Sequence, residues 1–345
     1  MRRARVATGG RLHFGFQNLS LAHERLYGSL GVALDEPRTV VVAEPADSVE
    51  CRDTTGGETT AAIRQYTERA VEILDVPGAA VRVESALPRH VGLGSGTKLA
   101  LSLLEAIGRA YGRDPDSRRL APELGRGGRS GVGVGTFRRG GFVVDAGHPS
   151  ARFTPDRPAD GAWEVPAVSV RRAIPDEWRF LLVVPDVEPG RNGDDEDGSI
   201  RAVIQQADPG VADRIAGEVT RRLLPAVAEE DAVRFGAAVE TIGRLNGQWY
   251  TDEQGGVYRS PVDRVVDALG DHPACYGVGQ SSWGPCVYAV TDRDRAAAAR
   301  DAGESALDAA GLDGEVRVVA CRNDGATVDL TGISAGDPAR GARND

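Results

Sequence analysis

The stretch that decides the fold reads Pro88-Arg89-His90-Val91-Gly92-Leu93-Gly94-Ser95-Gly96-Thr97-Lys98. Residues 81–83 before it have the pattern of a short strand, and residues 97–111 after it carry apolar side chains at helical spacing. The first turn of a helix has unpaired amide groups and about half a positive charge, and glycines let an anion approach the backbone closely. The sequence therefore predicts a phosphate-binding turn, here called the glycine loop (residues 88–96).

The spacing of the glycine loop differs from the two best-known phosphate motifs. Gly-Lys-Ser/Thr does not close it, as in Walker A, and no G-x-G-x-x-G with a downstream acid identifies a dinucleotide site. A plain glycine-rich connection into a helix is the alternative. Ser95, Thr97 and Lys98 favour phosphate because they place hydroxyl groups and an ammonium group at the helix start. Lys98 as an incidental surface residue stays open.

Length and charge limit the classes of protein to consider. The 345 residues exceed the ~250–300 at which single cores stop growing, so we expect two domains. No stretch approaches the ~18 consecutive apolar residues of a membrane helix, and the N-terminus lacks the apolar core of a signal peptide. The formal charge of -10 disfavours nucleic acid and anionic lipid. We predict a cytoplasmic protein without a membrane or nucleic acid partner.

The basic residues and the cysteines indicate the source and the compartment. Lys98 is the only lysine among 41 basic residues, so the other 40 are arginines. An acidic, lysine-poor chain is typical of a salt-adapted, high-GC source, although codon bias alone also replaces lysine with arginine. The four cysteines show no C-x-x-C spacing and predict neither a zinc site nor a disulfide framework, which fits a reducing cytoplasm.

Strand and helix patterns occur in both halves and predict an α+β protein. The predicted strands are residues 4–7, 39–42, 81–83, 142–144, 179–184, 287–290 and 316–320. The predicted helices are residues 58–74, 97–111, 117–124, 215–224, 232–250 and 295–310. Residues 125–141 hold eight glycines in seventeen positions, which predicts a functional loop without regular structure. A Pro- and Arg-rich stretch over 155–175 marks the boundary, giving domains 1–172 and 173–332 and a disordered tail over 333–345.

Several motifs together resemble one known family. P-x-x-x-G-L-G-S at 88–95 is the second motif of the GHMP kinase superfamily, where it wraps the phosphates of ATP. Further matching motifs are Gly10-Arg11-Leu12-His13-Phe14-Gly15, Gly125-Arg126-Gly127-Gly128-Arg129-Ser130-Gly131-Val132-Gly133-Val134, Gly141-Phe142-Val143-Val144-Asp145-Ala146-Gly147-His148 and Gly279-Gln280-Ser281-Ser282-Trp283-Gly284-Pro285. From residue 5 to about 322 the chain resembles β-ribofuranosylaminobenzene 5′-phosphate synthases, an archaeal branch of methanopterin biosynthesis. The resemblance implies a two-domain GHMP-kinase-like fold, with a ribosomal S5 domain 2-like N-terminal half and a ferredoxin-like C-terminal half.

One position separates this branch from the kinases. In many GHMP kinases Ser-Gly-Val/Ile is followed by an aspartate that helps to activate the hydroxyl nucleophile. Here Ser130-Gly131-Val132 is followed by Gly133. A small-molecule kinase that uses another residue, and a catalytically silent protein that binds a phosphorylated metabolite, stay open as alternatives.

The resemblance implies condensation of phosphoribosyl pyrophosphate with 4-aminobenzoate or 4-hydroxybenzoate, with release of pyrophosphate and carbon dioxide, in a homodimer. The catalyst must stabilise the leaving anion, orient the ring and exclude water. Mg²⁺ shares the diphosphate charge, with Asp145 and Ser95 as its expected ligands. The predicted phosphate-binding residues are Gly92, Leu93, Gly94, Ser95, Gly96, Thr97, Lys98 and Arg126.

Arginine and histidine side chains supply the predicted catalytic groups. Arg129 lies beside Ser130-Gly131 and can hold phosphate or carboxylate through two parallel hydrogen bonds. Arg11 and His13 are two residues apart and share one face of a strand. The alternative for either arginine is a solvated surface position, and the alternative for His13 is a hydrogen-bonded position in the core.

The last two motifs add candidates for proton transfer and ring binding. Asp145 and His148 close a predicted strand, where a carboxylate can bind Mg²⁺ and a histidine can exchange a proton; a turn role for Asp145 is the alternative. The predicted substrate-binding residues are Ser130, Gln280, Ser281, Ser282 and Trp283. Trp283 as a buried aromatic stays open. The acidic run over residues 194–197 is assigned no role, since charge runs are usually solvated.

Overall fold

Two β-sheets organise the chain in the computed structural model, which describes residues 2–54, 59–188 and 193–332. The first sheet contains β1 (Arg3–Asn18), β2 (Arg25–Pro45), β3 (Val49–Asp53), β4 (Ala79–Ser85), β5 (Phe142–Asp145), β6 (His148–Pro149), β7 (Val168–Arg172) and β12 (Thr327–Thr331). The second sheet contains β8 (Trp178–Pro185), β9 (Val278–Gln280), β10 (Val287–Asp292) and β11 (Gly314–Ala320).

The helices pack on both sheets. They are α1 (Thr60–Ile73), α2 (Ser95–Ala110), α3 (Ser117–Leu120), α4 (Val132–Arg139), α5 (Gly193–Gln206), α6 (Pro209–Glu218), α7 (Leu224–Ala228), α8 (Ala232–Trp249), α9 (Thr251–Gln254), α10 (Val262–Gly270) and α11 (Ala296–Ala310). Helix α2 packs on β1 and β2, and α8 contacts β1 as well as β9 and β10. Within the part of the chain described above, none of these helices has the length and apolarity to cross a membrane.

The strand orders confirm the predicted fold class. In the second sheet the order is β11-β8-β10-β9 with antiparallel neighbours, so the fourth strand of this half lies beside the first. This is the ferredoxin-like arrangement. In the first sheet β1 and β2 form a long antiparallel pair, and β3 and β4 pair in parallel across α1.

Helix α2 is more deeply buried than its apolar spacing alone indicates. Its side chains face the sheet on one side and α1 and α4 on the others, so most of the helix is buried. Leu101, Leu103, Leu104 and Ile107 have no exposed surface. Burying such a side chain contributes about 1.5–3 kcal/mol each, which anchors the helix whose N-terminus carries the glycine loop.

The structure corrects two sequence-based expectations. The glycine-rich stretch 125–141 is not irregular throughout, because α4 occupies residues 132–139. There the missing side chains permit close packing: a Cβ at Gly135 would lie 3.1 Å from Val143 Cγ1. The predicted second domain, 173–332, is also not a closed unit, since β12 returns to pair with β1 in the first sheet. The predicted tail over 333–345 lies outside the described residues.

The two halves meet where the glycine loop contacts the serine loop (residues 280–286). The amide of Cys286 donates to the carbonyl of Val91 at 3.1 Å. A Cβ on Gly284 would lie 2.0 Å from the carbonyl carbon of Val91, and one on Gly92 would lie 2.2 Å from the carbonyl oxygen of Ser281. The two backbones are therefore in direct contact, and only glycine fits at either position.

Replacing Gly284 with alanine is expected to lower the melting temperature, with a loss of about 1–3 kcal/mol or more in the free energy of unfolding. The added methyl group would overlap the backbone of Val91. Gly270→Ala is the matched control, because nothing lies within 4 Å of a Cβ at that position, the last of α10. Thermal melting of both variants measures the difference; equal melting temperatures would contradict the contact.

Candidate active site

Helix α2 begins without a side-chain cap, because its N-cap residue is Gly94, whose φ is 78°. Helices α6 and α8 begin differently, with Asp208 and Asp231 accepting hydrogen bonds from backbone amides in the first turn. No acidic residue lies in the first turn of α2. The amides of residues 95–97 therefore lie at a positively polarised helix end that no carboxylate of the helix neutralises.

Two guanidinium groups flank this helix end. Arg11, on β1, donates through Nη1 to the carbonyl of Gly92. Its side chain packs on Gly94, where a Cβ would lie 3.1 Å from Arg11 Cγ. Arg126 packs on Gly96, where a Cβ would lie 3.1 Å from Arg126 Cζ. Two positive charges and a polarised helix end thus converge on one turn, which favours a phosphate or diphosphate ligand.

Two residues of the predicted phosphate set have other surroundings. Leu93 is buried in the core, and its carbonyl accepts the amide of Arg11 at 3.0 Å. Thr97 packs on Gly133, where a Cβ would lie 3.2 Å from Thr97 Cγ2. A larger side chain at position 133 would therefore press against the methyl group of Thr97. A small cavity beside this turn is lined in part by Tyr66, Arg89 and Ser95.

Lys98 does not reach the glycine loop. Its side chain has no exposed surface, and Nζ donates to Thr136 Oγ1 on α4 at 3.0 Å. Burial, reinforced by the positive charges of Arg11 and Arg322, holds the pKa of Lys98 well below the ordinary lysine value. The predicted phosphate contact of Lys98 is not supported, because its position on α2 turns the side chain toward the core.

The serine loop holds the glycine loop and β1 together. Ser281 is fully buried; its hydroxyl donates to the carbonyl of Gly92 at 2.8 Å and accepts the amide of His13 at 3.0 Å. The Gln280 side chain donates to the carbonyl of Gly284 at 3.0 Å. These contacts are internal to the protein. They show how the loop fixes the backbone of the site, whereas the substrate contacts predicted for these residues stay predictions.

The other two predicted substrate-binding residues of the serine loop, Ser282 and Trp283, also contact the protein itself. Trp283 is 9% exposed, and its ring packs edge-on against Tyr250 with centroids 4.7 Å apart. Ser282 donates its amide to the carbonyl of His13 at 3.3 Å. Trp283 is therefore mostly covered by the protein, and the structure does not support its predicted role as the flat surface for a substrate ring.

Asp145 is a buried acid at the end of β5. Its carboxylate accepts the amide of Gly131 at 2.7 Å and that of Gly147 at 2.9 Å. Burial raises the pKa of Asp145 to about 6, although these backbone hydrogen bonds act in the opposite direction. The carboxylate thus fixes the turn at Gly131, directly after Ser130, whose hydroxyl accepts the amide of Val132 at 3.3 Å.

His148 holds the same segment from its other end. Its ring nitrogen Nε2 donates to the carbonyl of Gly128 at 2.6 Å, and burial lowers the pKa of the ring. Gly128 and Gly131 bracket Arg129 and Ser130 in the sequence. Asp145 and His148, both predicted as catalytic groups, therefore position the backbone that presents Arg129.

The carboxylate oxygens of Asp145 are not arranged to bind Mg²⁺. Asp145 has no exposed surface, and each of its oxygens already accepts a backbone amide. Across residues 2–54, 59–188 and 193–332, no group of three or more His, Cys, Asp or Glu residues is arranged to hold a metal ion. The structure does not support the predicted metal contact of Asp145, and that of Ser95 stays a prediction.

His13 is a buried histidine on which the positive charges of two arginines act. It is 4% exposed and packs edge-on against Phe16 at 5.1 Å. Burial, and then the positive charges of Arg11 and Arg129, hold the pKa of His13 well below its ordinary value. The imidazole is therefore neutral at physiological pH, in an electrostatic environment that both predicted catalytic arginines share.

Sequence reasoning missed an ion-pair cluster next to Arg129. Asp197, on α5, approaches Arg129 at 2.7 Å and Arg157 at 3.5 Å. The sequence predicts a solvated acidic run over residues 194–197, but the side chain of Asp197 is only 17% exposed. Arg157 belongs to no motif and is 28 residues from Arg129, so no spacing in the sequence indicated the pair.

Replacing Lys98 with methionine is expected to raise the free energy of unfolding by about 1–3 kcal/mol at neutral pH, since no amine must then be desolvated. The unfolded chain binds a proton at Lys98 that the folded protein holds weakly, so wild-type stability rises with pH up to the ordinary lysine pKa. The gain from the substitution should shrink over that range. Thermal melting from about pH 6 to about pH 10 measures it; a gain that is constant with pH would contradict a buried neutral lysine.

Protein-family models and solved structures place the fold. The GHMP kinases N terminal domain model matches residues 59–137, and the GHMP kinases C terminal model matches residues 223–309. The structure is similar to a homoserine kinase from Cytophaga hutchinsonii, with a TM-score of 0.63 at 20% identity over 95% of this chain and 97% of that one. It is also similar to mevalonate diphosphate decarboxylase from Staphylococcus aureus, with a TM-score of 0.63 at 12% identity over 95% and 98%. At these identities the similarity shows the fold alone.

Sequence relatives narrow the assignment. The β-ribofuranosylphenol 5′-phosphate synthase of Methanothermobacter thermautotrophicus is 32% identical over 298 residues, which cover 83% of this chain and 88% of the relative. The synthase of the same name from Archaeoglobus fulgidus is 31% identical over 300 residues, covering 84% and 88%. The resemblance carried by the sequence motifs is confirmed. The chain belongs to the β-ribofuranosylphenol 5′-phosphate synthase family, built on the GHMP kinase fold.

Proposed function

We propose that this enzyme joins phosphoribosyl pyrophosphate to 4-hydroxybenzoate, releasing pyrophosphate and carbon dioxide and leaving a β-ribofuranosyl phenol 5′-phosphate. The observation that carries the proposal is the uncapped start of α2 with the guanidinium groups of Arg11 and Arg126 packed on Gly94 and Gly96. This is a site for a diphosphate, the group that leaves in such a reaction.

The bond between the ribose C1 and the diphosphate oxygen breaks as negative charge collects on the diphosphate. Amides at the start of a helix and two guanidinium groups stabilise that charge more in the transition state than in the substrate. The ring carbon that bears the carboxylate then attacks the ribose carbon. Loss of carbon dioxide returns the electron pair to the ring, so no protein nucleophile is needed.

In the proposed reaction, Arg129 binds an anionic group of the substrate and His13 lines the site where the ribosyl group forms. Arg129 offers a fork of donors for an anionic oxygen group, and its backbone is fixed by the contacts of Asp145 and His148. His13 is neutral and buried, so it adds no charge that would oppose a positively charged ribosyl group. The buried His13 ring also helps to exclude water from that group.

The names of the relatives favour one acceptor. They are synthases of a ribofuranosylphenol, and a phenol product follows from 4-hydroxybenzoate once the carboxylate is lost. We therefore propose 4-hydroxybenzoate in preference to 4-aminobenzoate. Mg²⁺ enters as the counter-ion that accompanies the pyrophosphoryl substrate. The homodimer and the cytoplasmic location stay predictions.

The proposal is tested by incubating the purified protein with Mg²⁺, phosphoribosyl pyrophosphate and each benzoate in turn. We expect carbon dioxide and pyrophosphate in equal amounts with 4-hydroxybenzoate, and a carbon-linked riboside by mass spectrometry. A parallel incubation with benzoate lacking the ring hydroxyl is the control. Release of neither product with either acceptor would contradict the proposal, and so would consumption of ATP in a separate incubation in which ATP replaces phosphoribosyl pyrophosphate.

Arg126→Ala is expected to lower kcat/KM for phosphoribosyl pyrophosphate by about 10²-fold, the effect of removing one donor to a developing anion. Arg119→Ala is the matched control, because Arg119 is an exposed arginine on α3 and is expected to leave the rate unchanged. Initial rates at saturating acceptor measure the difference. If the two variants keep the same rate and the same melting temperature, Arg126 does not contact the diphosphate.

A further inference from the structure

The carboxylate of Asp197 lies between two arginines that the fold brings together from distant parts of the chain. Its Oδ1 is 2.7 Å from Arg129 Nη1, and its Oδ2 is 3.5 Å from Arg157 Nε. Arg129 belongs to the glycine-rich segment before α4, Arg157 to the connection between β6 and β7, and Asp197 to the first turns of α5. One carboxylate thus uses both oxygens on the arginine pair (Arg129 and Arg157).

The arginine pair adjoins the site described above. The charge of Arg129 acts on His13, which Arg11 also affects, and on the phenol of Tyr27. Tyr27 in turn packs edge-on against His148 at 6.3 Å. The half-buried guanidinium of Arg129 is therefore close enough to His13 and Tyr27 for its charge to act on both.

We propose that the arginine pair is a subsite for an anionic oxygen group of the substrate, and that the Asp197 carboxylate occupies this subsite when substrate is absent. The inference rests on the proposed function for the identity of the group. A phosphate monoester on the ribose and the carboxylate of the benzoate share the required chemistry, namely two or more oxygens that accept from planar guanidinium donors.

Competition between the Asp197 carboxylate and the substrate predicts the direction in which binding changes when Asp197 is replaced. A tethered carboxylate that must leave before substrate binds lowers the apparent affinity by the fraction of molecules in which the subsite is open. Removing its charge should therefore tighten binding of the anionic group. A carboxylate that only orients Arg129 would have the opposite effect, since its loss would misplace the guanidinium and weaken binding.

The test compares Asp197→Asn with Asp160→Asn by calorimetric titration, using ribose 5-phosphate and 4-hydroxybenzoate as separate probes. Asp160 is the matched control because it pairs with Arg157 at 2.8 Å and its substitution changes the net charge equally. We expect Asp197→Asn to bind one probe about threefold to tenfold more tightly than wild type, and Asp160→Asn to change that affinity less. Tighter ribose 5-phosphate assigns the subsite to the phosphate; tighter 4-hydroxybenzoate assigns it to the carboxylate.

Arg157→Gln provides a second readout that does not depend on how well Asp197→Asn folds. It should weaken the same probe that Asp197→Asn tightens, without displacing Arg129. Weaker binding of both probes to Asp197→Asn, equal effects of the two aspartate substitutions, or no binding of either probe to any variant would overturn the proposal. Because these titrations need no turnover, their outcome is independent of whether carbon dioxide is released in the condensation assay.

Discussion

The site depends on a direct contact between two backbones, that of the glycine loop and that of the serine loop. The side chain of Ser281 completes this contact by bonding both the carbonyl of Gly92 and the amide of His13. Since the glycine loop is part of the first half and the serine loop of the second, the contact also joins the two sheets. It lies directly before α2, whose first amides form the proposed diphosphate site.

A second set of contacts shows which residues hold the backbone of the site in place. Asp145 and His148 use their polar atoms on the backbone of Gly131 and Gly128, on either side of the proposed substrate-binding residue Arg129. Buried polar groups with satisfied hydrogen bonds hold one backbone conformation firmly, because any alternative leaves a donor or acceptor unpaired. Asp145 and His148 thus hold the backbone segment that carries the Arg129 guanidinium group.

Local patterns predicted much of the fold, and tertiary packing decided the rest. The helix after the glycine loop was evident from Leu99 to Ile107, since apolar spacing reports a buried face directly. Helix α4 was not, because glycines at 133 and 135 oppose a helix until Thr97 and Val143 pack against them. The inward direction of Lys98 and the pairing of Asp197 with Arg157 are contacts between distant segments, which no spacing in the sequence encodes.

The most direct test of the central claim is a crystal structure of the protein with Mg²⁺ and pyrophosphate. The account predicts diphosphate oxygens within hydrogen-bond distance of the amides of residues 95–97, with the guanidinium groups of Arg11 and Arg126 on either flank. A diphosphate bound elsewhere, with the start of α2 covered by protein side chains, would contradict it.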